Sequence, residues 1–591
     1  MKISQLIGKR FKEKPSDTKL KSHELLIRGG YIRPVFSGIF SVLLPGFKIL
    51  QNIEAIVREE MNNIGGQEVE MPLVQPRELW EESGRYQGIN NELVRFKDRT
   101  NHDMVLAMTH EEAVVALART EATSYKDYPF MLYQFAKKFR DEARPRGGLV
   151  RVKEFTMKDA YSFHTNQKDL DEYYLKCAIA YDRIFARSGV PEVVAIKSDT
   201  GMMGGKIAHE YMLLTPDGED TIIVCNDCDY KANKEVAVSK ILVNNPDEEI
   251  KPLQKIHTPN FKTIEEVSKA LGVSEKRLAK TLVYKPVNND KRPIVVMVRG
   301  DKDVNESKLA KILQAIPEFA GDEVFDNYGI VPGYASGYNL KDVRVIVDEN
   351  LFLEKNLITG ANEIDYHLSN FNISRDIPNA EKFDVISVQE GDVCLKCGGN
   401  IQVHRGIEVG NIFLLGDKYT KSMKMEYIDE NGKNQTPIMG CYGIGIGRLM
   451  ASVIEAKHDE HGPIWPVSIA PWKVSITTLG NKTTDGAIKN KATIIYEKMQ
   501  QDGIEVILDD RDTSAGEKFA DIDLLGVPLQ FVISQKTLEQ DSAEWKIRAT
   551  GEKGLVKLDE IIPMTKKWLQ DENDKLMNMA DNVKGLSDND L

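Results

Sequence analysis

Between Phe139 and Phe155 the chain reads Phe139-Arg-Asp-Glu-Ala-Arg-Pro-Arg-Gly-Gly-Leu-Val-Arg-Val-Lys-Glu-Phe155, and no other stretch constrains the fold as much. It predicts two short strands joined by a basic, glycine-containing turn over 145–148, and hence an antiparallel hairpin. Side chains alternate between the faces of a strand, so Arg140 and Glu142 share one face of the first. Arg151, Lys153 and Phe155 share one face of the second. Two guanidiniums, a carboxylate and an aromatic ring on one side of a hairpin make a nucleotide cradle. The cations hold phosphates, the carboxylate accepts from an adenine amino group, and the ring stacks on the base. The bland alternative is a solvated basic hairpin.

A second element decides between them. In Gly440-Cys-Tyr-Gly-Ile-Gly-Ile-Gly-Arg448 the glycines 443, 445 and 447 alternate, so one face of the strand has no side chain and a ligand can approach its backbone. Leu449-Met-Ala-Ser-Val-Ile-Glu-Ala456 has helical periodicity, which puts Arg448 at a helix N-terminus that already favours anions. The dinucleotide fingerprint would need glycine where Arg448 stands, and no Gly-x4-Gly-Lys-Ser/Thr loop occurs. The expectation is an ATP site on an antiparallel sheet.

These residues resemble class II aminoacyl-tRNA synthetases. Phe139-Arg-x-Glu with Arg151-x-x-x-Phe155 is similar to that family's motif 2, and Gly443-x-Gly-x-Gly-Arg448 to its motif 3. Ile49, Ile53, Ile56, Val57 and Ile64 line a helical face ended by Gly65-Gly66, and an alternating strand over 69–73 follows. That pair resembles motif 1, which implies a homodimer interface. Thr109-His-Glu-Glu112, Met157-Lys-Asp-Ala-Tyr-Ser-Phe-His164 and Arg405-Gly-Ile-Glu-Val-Gly-Asn-Ile-Phe413 narrow the resemblance to bacterial-type prolyl-tRNA synthetase, over about residues 1–570.

The resemblance implies a proline–tRNA ligase with proline, ATP and tRNA(Pro) as partners. Thr109, Glu111 and Arg140 would hold proline, with His164 bordering the pocket. Arg140, Glu142, Arg151, Phe155, Glu408 and Arg448 would bind ATP, with Arg140 and Arg448 catalytic. Mg²⁺ should bridge phosphates, and Glu408 is the candidate protein ligand. A different class II synthetase, for threonine or histidine, is disfavoured by Thr109-His-Glu. A regulatory or RNA-binding paralogue is disfavoured because Arg140, Arg151 and Arg448 all remain.

The implied architecture is an α+β catalytic domain with an antiparallel sheet, split into 1–228 and 394–467. Residues 229–393 are an inserted α/β editing domain, 468–570 an α/β anticodon-binding domain, and 571–591 an acidic tail. Within the insert, Thr263-Ile-Glu-Glu-Val-Ser-Lys-Ala-Leu-Gly272 predicts a helix, 281–284 and 293–298 strands, and 306–313 a second helix. Alanine is smaller than proline, and each missing methylene gives only about 1–3 kcal/mol of discrimination, so a hydrolytic second site for alanyl-tRNA(Pro) is useful. Lys280, Asn305, Asp348 and His367 match positions lining that site. The family's small-residue loop reads Gly-x-x-x-Pro, whereas Gly333-Tyr-Ala-Ser-Gly337 ends in glycine, which predicts a looser loop.

With 591 residues, 41% hydrophobic and 28% charged, the chain predicts several soluble domains rather than a disordered or fibrous protein. It has no apolar run of membrane-spanning length and no secretory h-region, so the cytoplasm is expected. The net charge of −12 leaves RNA binding to local patches, with Arg511 and Lys518 as anticodon candidates. From 571 onward six acidic residues outnumber two basic ones, which predicts a mobile tail. Cys225-Asn-Asp-Cys228 and Cys394-Leu-Lys-Cys397 are two knuckles of the kind that make a four-thiolate structural Zn²⁺ site, with reduced, metal-free thiols as the alternative.

Overall fold

The hairpin forms, but its strands stop short of the cradle. Phe130–Phe139 pairs antiparallel with Glu154–His164, from Phe130 opposite Phe163 to Phe139 opposite Glu154. Residues 140–153 are therefore a connecting loop, and Arg140, Glu142, Arg151 and Lys153 lie on it rather than on strands. Pro145 has no amide hydrogen, and Gly147 and Gly148 take φ of +68° and +61°, so the ladder cannot continue. One bond prolongs it, from the Arg140 N–H to the Lys153 carbonyl at 2.9 Å.

The computed structural model describes residues 1–16, 18–201, 203–480 and 485–591. They form two units: Met1–Ile196 with Thr200–Asp220 and Arg405–Leu591, and Lys197–Asp199 with Thr221–His404. In the first unit the hairpin belongs to a sheet in which Ile207–Leu214, Ile401–Gly416, Ile438–Gly445, Glu154–His164 and Phe130–Phe139 pair antiparallel in that order. Gly66–Glu68 adds to Phe130–Phe139 in parallel and ends the sheet. Both faces of Glu154–His164 are covered. Tyr161 and Phe163 pack with Val114, Val115 and Ala118 of the helix Glu111–Glu121. Ala160 faces Tyr174, Tyr181 and Ile184 of the long helix Gln167–Arg187.

The helix expected from Ile49 onward runs over Leu44–Asn63. It buries Ile49, Ile53, Ile56, Val57 and Met61 at three- and four-residue spacing, with Pro45 in its first turn. Each such side chain contributes about 1.5–3 kcal/mol of apolar burial. The strand expected over 69–73 does not form. The Val69 N–H donates to the Tyr133 carbonyl at 2.8 Å, the Met71 N–H is taken by Gln134 Oε1 at 3.0 Å, and Pro72 has none to give.

Near the C-terminus a five-stranded sheet runs in the order Val506–Asp509, Val474–Leu479, Leu529–Ser534, Ser542–Ile547, Lys553–Lys557. Its first three strands are parallel, as the β-α-β reading requires. The tail is not loose: Ile561–Asp581 is one helix, and Arg183 donates to the Ala580 carbonyl and the Asp581 carboxylate. Leu586 and Leu591 then pack on the main core. Sequence charge hid this because the anchors are a few apolar side chains and an arginine, Arg183, far away in the sequence.

The second unit is the expected α/β insert. One sheet orders Ala279–Tyr284, Ile294–Arg299, Arg344–Asp348 and Glu381–Phe383; another orders Gln254–His257, Tyr366–Phe371 and Leu357–Gly360. The helix Ile264–Leu271 has a Thr263/Glu266 capping box and stops at Gly272 with φ +63°, and Glu306–Leu313 is the second expected helix.

Candidate active site

Three arginines come together in the first unit. Arg140, at the start of the loop, donates from Nε to the Met108 carbonyl at 3.2 Å and sits 5.3 Å over the Phe155 ring. Burial, and then the neighbouring Arg448, pull its pKa below the ordinary arginine value; Glu408, Glu111 and Glu92 oppose that. Arg448, in the first turn of the helix Ile446–Ala456, donates from Nε to the Val150 carbonyl at 2.8 Å. Its Nη1 meets the Glu408 carbonyl and Oε2, both at 3.0 Å. Arg151, next along from Val150, pairs with Glu142 at 2.9 Å. Arg140 and Arg448, like charges near enough to perturb one another, favour an anionic ligand between them.

The glycine-lined strand leads to the same place. A Cβ at Gly443, Gly445 or Gly447 would meet nothing nearer than 3.4 Å, and none of the three has positive φ. Neither packing nor backbone geometry demands glycine there, which leaves room for a ligand as the physical reason. Glu408, the Mg²⁺ candidate, is engaged by Arg448, and Asn411 Nδ2 reaches its Oε1 at 3.4 Å. Asn411 Oδ1 is buried with no hydrogen-bond partner, an oxygen donor suited to a hard cation beside that carboxylate.

Thr109 and Glu111 stand together as expected. The Thr109 hydroxyl donates to Glu111 Oε2 at 2.5 Å, and both residues are buried. Arg85 Nη1 reaches the same Oε2 at 3.1 Å and Glu112 at 3.3 Å. Cys441 faces this carboxylate; burial foremost, and then Glu111, push its thiol pKa well up. His164 is the residue the structure does not bring here. Alternation puts it with Ala160 on the helix side of the sheet, opposite Tyr161, where its Nδ1 meets Asp169 at 2.6 Å and its ring packs on Tyr173.

Sequence reasoning missed a buried network under these residues. Lys138 Nζ lies 2.8 Å from Asp159 Oδ1 and 2.5 Å from His110 Nδ1. The Tyr161 hydroxyl donates to Asp159 and accepts from the His110 backbone N–H, while His110 Nε2 bonds to the Pro72 carbonyl. Burial, and then Lys138, bring the His110 pKa down to about 4, so the ring is neutral and acts as a fixed peg between Thr109 and Glu111.

In the second unit a cavity of about 460 Å³ is lined by Lys280, His367, Gly333, Ala335, Thr359 and Gly360, among others. Thr258 Oγ1 is 2.6 Å from His367 Nδ1, and burial lowers the ring's pKa to about 4. Asn305 and Asp348 are not in the lining. Asn305 caps the helix Glu306–Leu313 and donates to two carbonyls, and Asp348 accepts the Asn350 and Val385 amides. The loop lacking proline is tied down all the same. Asn362 accepts the Ser336 N–H and donates to the Ser336 and Tyr338 carbonyls, while the Gly337 N–H, which proline would remove, points at Met297 Sδ.

The four cysteine sulfurs of the same unit lie within 4.8 Å of one another. Cys225 is 3.5 Å from Cys397 and Cys228 is 3.7 Å from Cys394. Backbone amides two residues on, at Asp227 and Gly399, point at Cys225 and Cys397. The anticodon candidates are otherwise employed: Arg511 is paired with Asp509 and Asp521, and Lys518 donates to the Thr478 carbonyl.

The chain matches the model of the class II tRNA synthetase core domain (G, H, P, S and T) over residues 94–457 and that of an anticodon binding domain over 473–568. It is 42% identical over 600 residues to a proline–tRNA ligase of Treponema denticola, covering 98% of this chain and all of the relative. A Fusobacterium nucleatum proline–tRNA ligase is 43% identical, over 96% of this chain and all of that protein. One from Aquifex aeolicus is 40% identical, over 95% and 98%. With the arginine cluster, the glycine-lined strand and this full-length similarity together, the chain belongs to the proline–tRNA ligase family of class II synthetases.

Proposed function

We propose that Arg140, Arg151 and Arg448 act on a single ATP while Thr109 and Glu111 hold the amine of proline, and that this pocket carries out the family's ligase reaction on this chain. The proline carboxylate attacks the α-phosphorus, the bond to diphosphate breaks, and prolyl-adenylate forms. The terminal ribose hydroxyl of tRNA(Pro) then attacks the activated carbonyl and releases AMP. No protein nucleophile is needed: the task is to bring two anions into line and to stabilise charge spread over the phosphates. The observation that carries this reading is Arg140, whose Nε is held on the Met108 carbonyl, next to Thr109, and whose charge interacts with both Arg448 and Glu111. The proline ammonium offers two N–H groups, and Thr109 Oγ1 and Glu111 are two buried acceptors. Glu408 and Asn411 would hold Mg²⁺, which when bound with ATP neutralises phosphate charge. Charging of tRNA(Pro) with proline, and with no other amino acid at comparable efficiency, is the expected result; preferred charging with threonine or histidine would contradict it.

Lys280 and His367 support a hydrolytic role for the cavity in the insert, with neutral His367 able to accept or pass a proton. The four thiolates suit tetrahedral Zn²⁺, for which Zn–S bonds of about 2.3 Å put sulfurs about 3.8 Å apart. The Asp227 and Gly399 amides point at Cys225 and Cys397, as donors that would favour thiolates there. A homodimer through the helix Leu44–Asn63 and the edge strand Gly66–Glu68 completes the reading, since an edge strand offers unpaired backbone groups to a second copy.

A further inference from the structure

Arg85 has no place in the assignments above, and its surroundings argue for one. It lies outside every matched motif, on the short helix Arg85–Gly88, yet it is only 5% exposed. Its guanidinium packs against the Trp80 ring at 5.0 Å and the Tyr419 ring at 5.4 Å. Nη1 contacts Glu111 Oε2 and Glu112, while Nε and Nη2 are buried with no hydrogen-bond partner. A buried guanidinium that leaves three of its five N–H donors unpaired is expensive for stability alone, so a functional placement is the better reason for keeping it.

Both strong donors to Glu111 fall on one oxygen: the Thr109 hydroxyl and Arg85 Nη1 each reach Oε2. Oε1 is left with at most the weak thiol donor of Cys441. The Thr109 proton is spent on Glu111, so its hydroxyl oxygen can only accept from a ligand. The pocket therefore offers two acceptor positions in a dry site, Thr109 Oγ1 and Glu111 Oε1. A secondary ammonium has two N–H groups and satisfies them one for one, whereas a primary ammonium brings a third with nowhere to go.

We propose that Arg85 is a positioning residue that makes the pocket specific for a secondary ammonium, by occupying Glu111 Oε2 and leaving two acceptors for two N–H groups. This rests on Thr109 and Glu111 holding the amine of proline. Without Arg85 the Glu111 carboxylate is free to turn, and both oxygens can serve a primary amine.

The test is ATP–pyrophosphate exchange by the full-length protein with proline or alanine as substrate. Arg85→Gln should raise KM for proline roughly tenfold or more while KM for ATP stays within about twofold, since a hydrogen bond to a charged group is lost at the amine alone. The proline/alanine ratio of kcat/KM should fall, and Arg85→Lys should recover part of both. An unchanged ratio, or an equal loss in the ATP parameters, overturns the proposal. If thermal melting finds Arg85→Gln unfolded, Arg85→Lys carries the test: a raised KM for proline alone supports the proposal, and no change overturns it. Glu111→Gln separates the two layers. If it leaves KM for proline unchanged, the pocket assignment itself falls; if it raises KM while Arg85→Gln does not, only the role of Arg85 falls.

Discussion

At the scale of single residues, charge partners matter more than motif membership. Arg140 and Arg448 were legible in the sequence because each adjoins a local pattern, a loop after a strand or a glycine ladder before a helix. Arg85 and Asp159 were not, because their partners lie in other segments of the chain. His164 was legible and misassigned: counting by twos from Tyr161 puts it on the opposite face. Asp182 yields a prediction of the same kind. Burial raises its carboxyl to about 6, opposed only by the Gly585 N–H. A folded-state pKa above the unfolded one gives stability that is complete below about pH 4 and lost as pH rises through about 6. Above that, Asp182 is ionised at a burial cost that the Gly585 N–H offsets only in part. Asp182→Asn should therefore stabilise the protein by at most about 3 kcal/mol at pH 8 and by little near pH 4. Urea midpoints measured at both values check this, and an equal effect at the two would refute it.

At the scale of elements, the presence of the helices was read more reliably than their first residues or their exposure. The helices Leu44–Asn63, Ile264–Leu271 and Glu306–Leu313 start at proline, capping threonine and capping asparagine, and the first two stop at the left-handed glycines 65 and 272, the third at the left-handed Gln314. The segment 69–73 failed because a glutamine side chain, invisible as a partner in the sequence, takes the amide that a neighbouring strand would use. The acidic tail failed for a similar reason, since helix propensity and two leucines outweigh its charge. The two cysteine knuckles stand near the sequence ends of the second unit and would close it with one ion. Protein purified without chelators should hold about one zinc per chain, and Cys394→Ser should remove it and lower the melting temperature, because metal binding is coupled to folding. A metal-free protein with unaltered melting in Cys394→Ser would count against the site.

At the scale of the whole molecule, the order of parts followed from sequence. The interruption of one sheet by a long insert between the hairpin and the glycine-lined strand was visible as a change from one motif to the next. Of the four insert residues picked from the sequence, Lys280 and His367 line its cavity, whereas Asn305 and Asp348 are equally good as capping residues and the structure uses them so. Pairing through the edge strand Gly66–Glu68 predicts a solution mass of twice 66.6 kDa, measurable by light scattering, and a monomer would exclude it. The convergence of Arg140, Arg151 and Arg448 on one triphosphate is tested most directly by proline-dependent ATP–pyrophosphate exchange in Arg448→Ala. The account predicts a fall of at least about a hundredfold in kcat/KM, with tRNA affinity retained, in keeping with loss of a charge-stabilising donor. Exchange at the unsubstituted rate would contradict it.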